Sequence, residues 1–199
     1  MGCKIKFIDH EVFLPCVYFE KSGEENTRRT LEVSAQRAQK LDIRDIVIAT
    51  TSGKTGLIAL ELMAQHNIVV VSHSTGFVKP GFQQMSEEMR RQLEASGAKV
   101  LTCQHALGGI NRAVRKKLGT YELDEIIAYT LRMFGQGTKV AVEIALMAAD
   151  AGLISLSNPC ICIGGTGKGA DTAILLKPAH AQDFFDLRIM EFLAKPRLP

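Results

Sequence analysis

Residues 46–56 read IVIATTSGKTG, and this stretch carries the clearest structural signal of the chain. Its first four residues form a continuous apolar run, which is typical of a parallel strand buried on both faces. From Lys54 to His66 the apolar residues recur at helical spacing. A buried strand that leads directly into a helix is the building unit of α/β proteins, so this stretch predicts an α/β fold.

The same alternation of strands and helices continues on both sides of residues 46–56. We predict strands at Val17–Phe19, Ile46–Ala49, Ile68–Val71, Lys99–Thr102, Cys160–Ile163, Ala173–Leu176 and Leu187–Leu193. We predict helices at Thr27–Leu41, Lys54–His66, Ser86–Ser96, Ile110–Leu118, Leu123–Phe134 and Val140–Ala151. This order predicts a three-layer, doubly wound and mostly parallel sheet.

Length and composition indicate one folded domain. The chain has 199 residues, of which 46% are hydrophobic and 23% are charged, as in an ordinary globular protein. We assign residues 17–199 to a single α/β domain and residues 1–16 to an N-terminal appendage. No repeat, low-complexity tract or linker divides the chain further.

Charge and hydropathy argue against two classes of partner. The formal net charge is +3 and tryptophan is absent, so nucleic-acid binding is not expected. No apolar run approaches the ~20 residues of a membrane span, and the N-terminus fits no signal peptide, so we expect a cytoplasmic protein without a membrane partner. One helix carries a basic run, which predicts a solvated face or a site for a second phosphate or an acidic partner: Arg112, Arg115, Lys116 and Lys117.

The cysteines do not suggest a disulfide framework or a metal site. Their number, five, is odd, and no C-x-x-C pair is present. Cys160 and Cys162 lie two apart in a predicted strand, so both side chains face the same side and fill a buried layer. Cys103 and His105 have the same spacing and the same structural interpretation.

The turn after the strand Ile46–Ala49 predicts a phosphate site. Backbone N–H groups at a helix N-terminus are unsatisfied, and together with the helix dipole they attract an anion. Hydroxyl donors, a glycine that lets the backbone come close and one lysine charge surround this point, and they make a phosphate monoester the natural occupant. The alternative is a hydroxyl-rich helix start that binds only water. The residues are Thr50, Thr51, Ser52, Gly53, Lys54 and Thr55.

This turn is not a Walker A loop, because Ile48 stands where G-x-x-x-x-G-K-[ST] needs a glycine. ATP or GTP hydrolysis is therefore disfavoured. The spacing T-x-S-G-K-T instead resembles the loop by which flavodoxins hold the phosphate of flavin mononucleotide (FMN), at a strand-to-helix turn of a doubly wound sheet.

A glycine-rich loop follows the strand Cys160–Ile163. Gly165, Gly167 and Ala170 formally match the dinucleotide fingerprint, but a strand follows where that fingerprint needs a helix, so an NAD site is not expected. The loop either lies against a ligand or makes a tight turn. We expect ligand contacts from Gly165, Thr166, Gly167 and Lys168, and hydrogen bonds to a polar ring edge or ribityl chain from Asp171 and Thr172.

A third loop follows the strand Ile68–Val71. If this strand lies beside Ile46–Ala49, the loop borders the phosphate turn, because loops after neighbouring parallel strands converge. Phe77 is the candidate for stacking on a flavin ring, and His73 has either a direct or a structural role. The candidate ligand contacts are His73, Ser74, Thr75, Gly76 and Phe77.

The candidates for acid–base chemistry are His73, Glu143 and His180. Glu143 and Asp150 lie seven apart on one face of an apolar helix. They either border the site or bind basic partners or helix N-termini, because an unpaired buried carboxylate is costly. His180 follows a strand and could reach the same sheet edge. No nucleophile–base pair is visible, so no catalytic residue is assigned.

The strand, the TTSGKTG turn, the helix and the following IVVVSHSTGF (residues 68–77) resemble the C-terminal α/β domain of pyruvate kinase. There a Ser/Thr-rich loop at the same junction receives the phosphate of an allosteric sugar bisphosphate. From Val17 onward the chain more closely resembles a small family of stand-alone prokaryotic proteins with that fold. The shared motifs are residues 25–27 (ENT), 74–77 (STGF), 134–137 (FGQG), 142–144 (VEI), 147–152 (MAADAG), 169–173 (GADTA) and 178–180 (PAH).

This resemblance implies the fold and FMN as ligand, but it implies no reaction, and residues 1–16 have no counterpart in it. We therefore expect an FMN-binding protein, with a flavin-dependent oxidoreductase as the first enzyme to consider. The alternative is a non-enzymatic regulatory module that binds a sugar phosphate, and a third hypothesis is an enzyme that acts on a phosphorylated substrate without flavin. The sheet edge near Leu187–Leu193 and the apolar helix surfaces predict a homo-oligomer.

Overall fold

The computed structural model describes residues 11–197. Residues 1–10 of the predicted appendage, with Cys3, lie outside the described residues, and residues 11–16 contain no helix or strand. The strands are β1 Val17–Phe19, β2 Asp45–Ala49, β3 Asn67–Ser72, β4 Lys99–Thr102, β5 Cys160–Gly164, β6 Thr172–Lys177 and β7 Arg188–Pro196. The helices are α1 Thr27–Leu41, α2 Lys54–Met63, α3 Glu87–Ala95, α4 Ile110–Leu118, α5 Leu123–Arg132 and α6 Gln136–Asp150.

The strands form one sheet in the order β1-β7-β6-β5-β2-β3-β4. Strands β5, β2, β3 and β4 are parallel neighbours, and β1 is parallel to β7. Strand β6 is antiparallel to both β5 and β7, so it is the one reversed strand of this sheet. The predicted mostly parallel α/β fold is therefore confirmed.

Helices cover both faces of the sheet, which makes three layers. On one face Ile46 and Ile48 of β2 pack in a core with Leu31 of α1 and Leu93 of α3. On the other face Val47 of β2 packs in a second core, built chiefly with α6. Because successive side chains of a strand point to opposite faces, the continuous apolar run of β2 supplies both cores.

Several element boundaries differ from the predicted ones for local reasons. Helix α2 ends at Met63 instead of His66, whose ring Nδ1 lies 2.8 Å from the carbonyl oxygen of Ile43. Helix α6 begins at Gln136, four residues before the predicted start at Val140. The apolar pattern did not predict this first turn, because it contains polar residues. At α3, Ser86 accepts a hydrogen bond from the Met89 N–H at 3.2 Å, as a helix cap does.

The outer strands of the sheet are β1 and β4. We predicted a sheet edge near Leu187–Leu193. Strand β7 pairs with β6 over Arg188–Ala194, and β1 pairs only with Ala194–Pro196, so among residues 11–197 the first part of β7 has a strand on one side only. The expected homo-oligomer stays a prediction. Within residues 11–197, none of the helices combines the length and apolar character needed to cross a bilayer.

The first core rests on Leu93, which is fully buried and packs against Gly56 of α2. We expect Leu93→Ala to lower the free energy of unfolding by about 2–5 kcal/mol, because it removes buried methyl groups and leaves a cavity. The matched control is Leu118→Ala, since Leu118 is 71% exposed and should change stability by less than about 0.5 kcal/mol. Urea unfolding of both variants measures the difference, and equal losses would contradict this description of the core.

Candidate functional site

Three loops meet at the carboxyl ends of adjacent parallel strands. Because β5, β2 and β3 lie side by side, the loops that follow them converge at one edge of the sheet. The Thr50 N–H donates to the carbonyl oxygen of Val71 at 3.0 Å, which ties the first residue after β2 to β3. Between the loops and the first turns of α2 and α6 lies a cavity of about 810 Å³.

The turn at residues 50–55, which we predict to bind phosphate, lines this cavity. Gly53 adopts a φ of +93°, and its N–H donates to the Thr50 hydroxyl at 3.0 Å, which folds residues 50–53 into a tight turn. A Cβ on Gly53 would lie 2.2 Å from Cγ of Met89 in α3. This glycine therefore serves the turn and the packing of α3 as much as access to a ligand.

Helix α2 begins without a side-chain cap, so its first backbone N–H groups have no partner within the helix. Among residues 11–197 the hydroxyls of Thr51, Ser52 and Thr55 make no hydrogen bond, although all three line the cavity. Thr55 is only 6% exposed, and Lys54 lies beside it at the first position of the helix. The turn thus presents unpaired donors and one positive charge to the cavity.

The glycine-rich loop after β5 holds its own shape. The buried carboxylate of Asp171 accepts hydrogen bonds from the N–H groups of Gly23 and Thr166 and from the Thr172 hydroxyl, at 3.2, 3.1 and 2.8 Å. A Cβ on Gly165 would lie 2.3 Å from the carbonyl oxygen of Gly169, so this glycine permits the loop to fold on itself.

The loop lines the cavity with Gly165, Gly167 and Lys168, as expected. Thr166, Asp171 and Thr172 do not line the cavity, although the sequence suggested ligand contacts for them. The reason is that the Asp171 carboxylate, together with the Thr172 hydroxyl and the Thr166 N–H, is used to brace the loop.

The loop after β3 brings one predicted residue, His73, to the cavity wall. Nδ1 of His73 lies 2.7 Å from Oε1 of Gln84, and its ring stacks on Phe77 with the centroids 4.1 Å apart. Phe77 itself does not line the cavity, because its ring lies against those of His73 and His105, with the Arg112 guanidinium 4.8 Å from its centre. Phe77 is therefore not placed to stack on a ligand.

Ser74, Thr75 and Gly76 also lie outside the cavity lining. The chain turns away from the sheet there, and Gly76 N–H bonds the carbonyl oxygen of Phe82 at 2.9 Å.

A buried charge cluster forms the wall contributed by α6. Oε2 of Glu143 lies 2.5 Å from Nζ of Lys139 and 3.6 Å from Nδ1 of His105, and Oε1 accepts a hydrogen bond from the Leu107 N–H at 3.1 Å. Burial would raise the pKa of Glu143, but the His105 ring and the Lys139 ammonium outweigh it and hold the pKa at about 2. Glu143 is therefore both a cavity-wall residue and the partner of a buried lysine.

Burial is also the largest influence on Lys139, and it lowers the pKa of the ammonium although Glu143 favours the charged form. His105 completes the cluster by accepting a hydrogen bond from the Ser74 N–H on Nε2, at 3.4 Å. Both ring nitrogens of His105 are thus engaged within the protein.

His180 is not brought to this cavity. It follows β6, and because β6 runs antiparallel to its neighbours, its carboxyl end lies at the opposite end of the sheet. There Nδ1 of His180 lies 3.0 Å from a carboxylate oxygen of Asp150. Of the three acid–base candidates, the structure unites His73 and Glu143 only.

Several cavity residues were missed by the sequence analysis: Glu24, Thr27, Gln84, His105 and Gln136. His105 lies three residues beyond the end of β4. Its place in the loop after a parallel strand could have predicted that it lies at the same edge of the sheet. Gln84 and Glu24 lie in segments with no such signal, because long-range packing brings them here. Among residues 11–197 no cluster of His, Cys, Asp and Glu side chains could hold a metal ion.

We expect Glu143→Gln to lower the free energy of unfolding by about 3–5 kcal/mol near pH 7, because it leaves the buried Lys139 ammonium without its counter-charge. The double variant Lys139→Met/Glu143→Gln should be more stable than Glu143→Gln, since it removes the orphaned charge. Urea unfolding of the three proteins measures this order, and a double variant less stable than the single one would contradict it.

The difference between wild type and Glu143→Gln should depend on pH. The folded pKa of about 2 lies below the ordinary 4.5, so ionisation of Glu143 stabilises the fold above about pH 4.5. That stabilisation is lost as the pH falls from about 4.5 to about 2. Unfolding measured near pH 7, 4 and 3 should show the gap narrowing, whereas a constant gap would contradict the lowered pKa.

A family model described as the pyruvate kinase alpha/beta domain matches residues 28–176. Among solved structures, a pyruvate kinase of Cryptosporidium parvum is 12% identical with a TM-score of 0.43, covering 77% of this chain and 23% of its own. The same enzyme in complex with ADP is 13% identical with a TM-score of 0.40, covering 75% and 22%. A hydrogen sulfide-producing enzyme of Fusobacterium nucleatum is 21% identical with a TM-score of 0.30, covering 50% and 30%.

The chain spans less than a quarter of the length of these pyruvate kinases. The family match begins within α1, contains the phosphate turn and the glycine-rich loop, and ends at the close of β6. Since this match covers well over half of the chain, the protein belongs to the family of the pyruvate kinase α/β domain.

Proposed function

We propose that this protein binds a phosphate monoester at residues 50–55, and that the ligand is FMN. The observation that carries the proposal is the hydroxyl of Thr55. This hydroxyl lines the cavity on a residue that is 94% buried, and it has no hydrogen-bond partner among residues 11–197. The hydroxyl oxygen is reachable from the cavity, because within residues 11–197 the buried side-chain atom that lacks a partner is Oε2 of Glu125. The Thr55 hydroxyl is therefore a donor that stays available to an acceptor oxygen of a ligand.

The electrostatics of the turn support an anion. The uncapped N–H groups of α2 and the positive end of its dipole point to the place where the Thr51 and Ser52 hydroxyls are also free. Lys54 adds a charge at the helix start, and Lys168 adds a second one from the glycine-rich loop on the other side of the cavity. These donors suit the oxygens of a phosphate monoester.

The rest of the cavity suits a flat organic body. Its volume of about 810 Å³ lies within the range of cofactor pockets, roughly 300–1,000 Å³. Ile58 of α2 and Val140, Ile144 and Met147 of α6 supply aliphatic walls. Bound flavin supplies redox chemistry that no side chain has, so an oxidoreductase is the first enzyme class to test.

The direct test is a titration of purified, ligand-stripped protein with FMN, followed by flavin fluorescence, with riboflavin as the control. Strong binding of FMN and weak binding of riboflavin are expected, because riboflavin lacks the phosphate. Binding of neither compound would reject the flavin proposal. Sugar phosphates would then become the ligands to test, in line with a non-enzymatic regulatory module.

The phosphate turn predicts a specific pair of variants. We expect Lys54→Glu to weaken FMN binding about 100-fold, because it replaces an attractive charge with a repulsive one, and Thr55→Val to weaken it about 10-fold by removing one donor. The matched control is Lys99→Glu, since Lys99 starts β4, at the far end of the sheet from the cavity. Unchanged binding in Lys54→Glu would remove the phosphate from this turn.

A further inference from the structure

We propose that His73 is the hydrogen-bond acceptor for the body of the ligand: its Nε2 atom receives an uncharged N–H or O–H group of the phosphate monoester held at the start of α2. This inference rests on the proposed function, because it needs a phosphorylated ligand in the cavity. For FMN, the matching groups are the ring N–H and the ribityl hydroxyls.

The hydrogen bond to Gln84 determines which ring nitrogen of His73 is free. Nδ1 lies 2.7 Å from Oε1 of Gln84, and an amide oxygen only accepts hydrogen bonds. The ring hydrogen of the neutral imidazole therefore lies on Nδ1, and the lone pair lies on Nε2. Among residues 11–197, Nε2 has no hydrogen-bond partner, and the ring lines the cavity.

The His73 ring is held rigidly. Phe77 stacks on it with an interplanar angle of 25°, and the side-chain N–H of Gln83 donates to the His73 carbonyl oxygen at 2.9 Å. Together with the hydrogen bond between Nδ1 and Gln84, three contacts hold His73 in place: on the ring face, at the backbone carbonyl and at one ring nitrogen. Because this acceptor is already held in position, little side-chain conformational entropy is lost when the ligand binds.

The surroundings of His73 keep it neutral. Burial is the largest effect and lowers its pKa, and the nearby His105 and Arg112 act in the same direction. Gln84 and the Glu143 carboxylate oppose this, but Glu143 is already paired with Lys139. A neutral imidazole at neutral pH presents a lone pair, whereas the protonated ring would present a second donor.

The polar groups of His105 and Glu143, which line the cavity near His73, are not available to accept a hydrogen bond from the ligand. His105 uses Nε2 to accept from the Ser74 N–H and turns Nδ1 toward Glu143. Glu143 uses one oxygen for the Leu107 N–H and the other for Lys139. Nε2 of His73 is thus the wall's unpartnered nitrogen acceptor within the described part of the chain.

The test compares FMN binding by the full wild-type chain, His73→Phe and His73→Gln from about pH 8 down to a pH that protonates the ring, which NMR of the His73 imidazole in the free protein identifies, because burial lowers its pKa below the ordinary 6.5. Phenylalanine keeps the stack on Phe77 but has no acceptor, and glutamine restores a neutral acceptor that does not titrate. We expect His73→Phe to bind about tenfold more weakly near pH 8, and His73→Gln to recover part of that loss. His66→Gln, at the residue before β3 and outside the cavity lining, is the control.

The decisive readout is how the ratio of the two dissociation constants changes with pH. As the pH falls, wild-type His73 becomes protonated and loses its lone pair, so the ratio of His73→Phe to wild type should fall from about ten toward one. The second ionisation of the ligand phosphate, near pH 6, affects both proteins and cancels in the ratio. A purely structural role for His73 would not produce this pH dependence.

The outcomes separate the two proposals. If wild type prefers FMN to riboflavin but the ratio is one near pH 8, or does not fall at a pH that protonates the His73 ring, the His73 inference is overturned and the phosphate turn stands. If wild type binds neither flavin, the proposed function fails and the inference fails with it. Thermal unfolding of each variant shows whether a loss of FMN binding reflects misfolding. If His73→Phe is misfolded, the comparison of wild type with His73→Gln decides whether the inference holds.

Discussion

The position of β2 between two parallel neighbours is the constraint on which the rest of the site depends. Parallel pairing of β2 with β5 and with β3 brings three carboxyl ends to one edge, so the turn at residues 50–53, the loop that begins with His73 and the glycine-rich loop must share one space. The reversed strand β6 also shows that the direction of a strand decides at which end of the sheet the following residues lie. Because β6 runs the opposite way, His180 is carried to the far end of the sheet.

A second constraint is the charge buried in α6. A carboxylate in an apolar helix is tolerated only when it is paired, and Glu143 is satisfied by a lysine of its own helix and by the loop after β4. The pairing has a geometric consequence. Through Leu107 and His105, Glu143 ties that loop to α6, and through Ser74 the loop after β3 is tied to the same cluster. These contacts connect α6 with the loops after β3 and β4 on this side of the cavity.

The polar residues of the cavity divide into those that are satisfied by the protein and those that are not. The first group bonds to loops and helices of the protein and shapes the cavity. It includes Asp171, His105 and Glu143. The Thr55 hydroxyl, the start of α2 and Nε2 of His73 keep theirs open. Under the proposed function, ligand recognition belongs to this second group, because a group with no internal partner gains the most from a ligand.

The sequence by itself determined the α/β class, nearly every strand and helix, and the hydroxyl-rich turn between β2 and α2, because these depend on local patterns: an apolar run, helical spacing and hydroxyls around Gly53 and Lys54. It could not determine the reversal of β6, the placement of β1 beside β7, or the pairing of Lys139 with Glu143. It predicted ligand contacts for Phe77 and Asp171, and the structure shows both side chains in contact with other residues of the protein. Only the tertiary structure decided which polar groups remain open, since that depends on contacts between residues far apart in the chain.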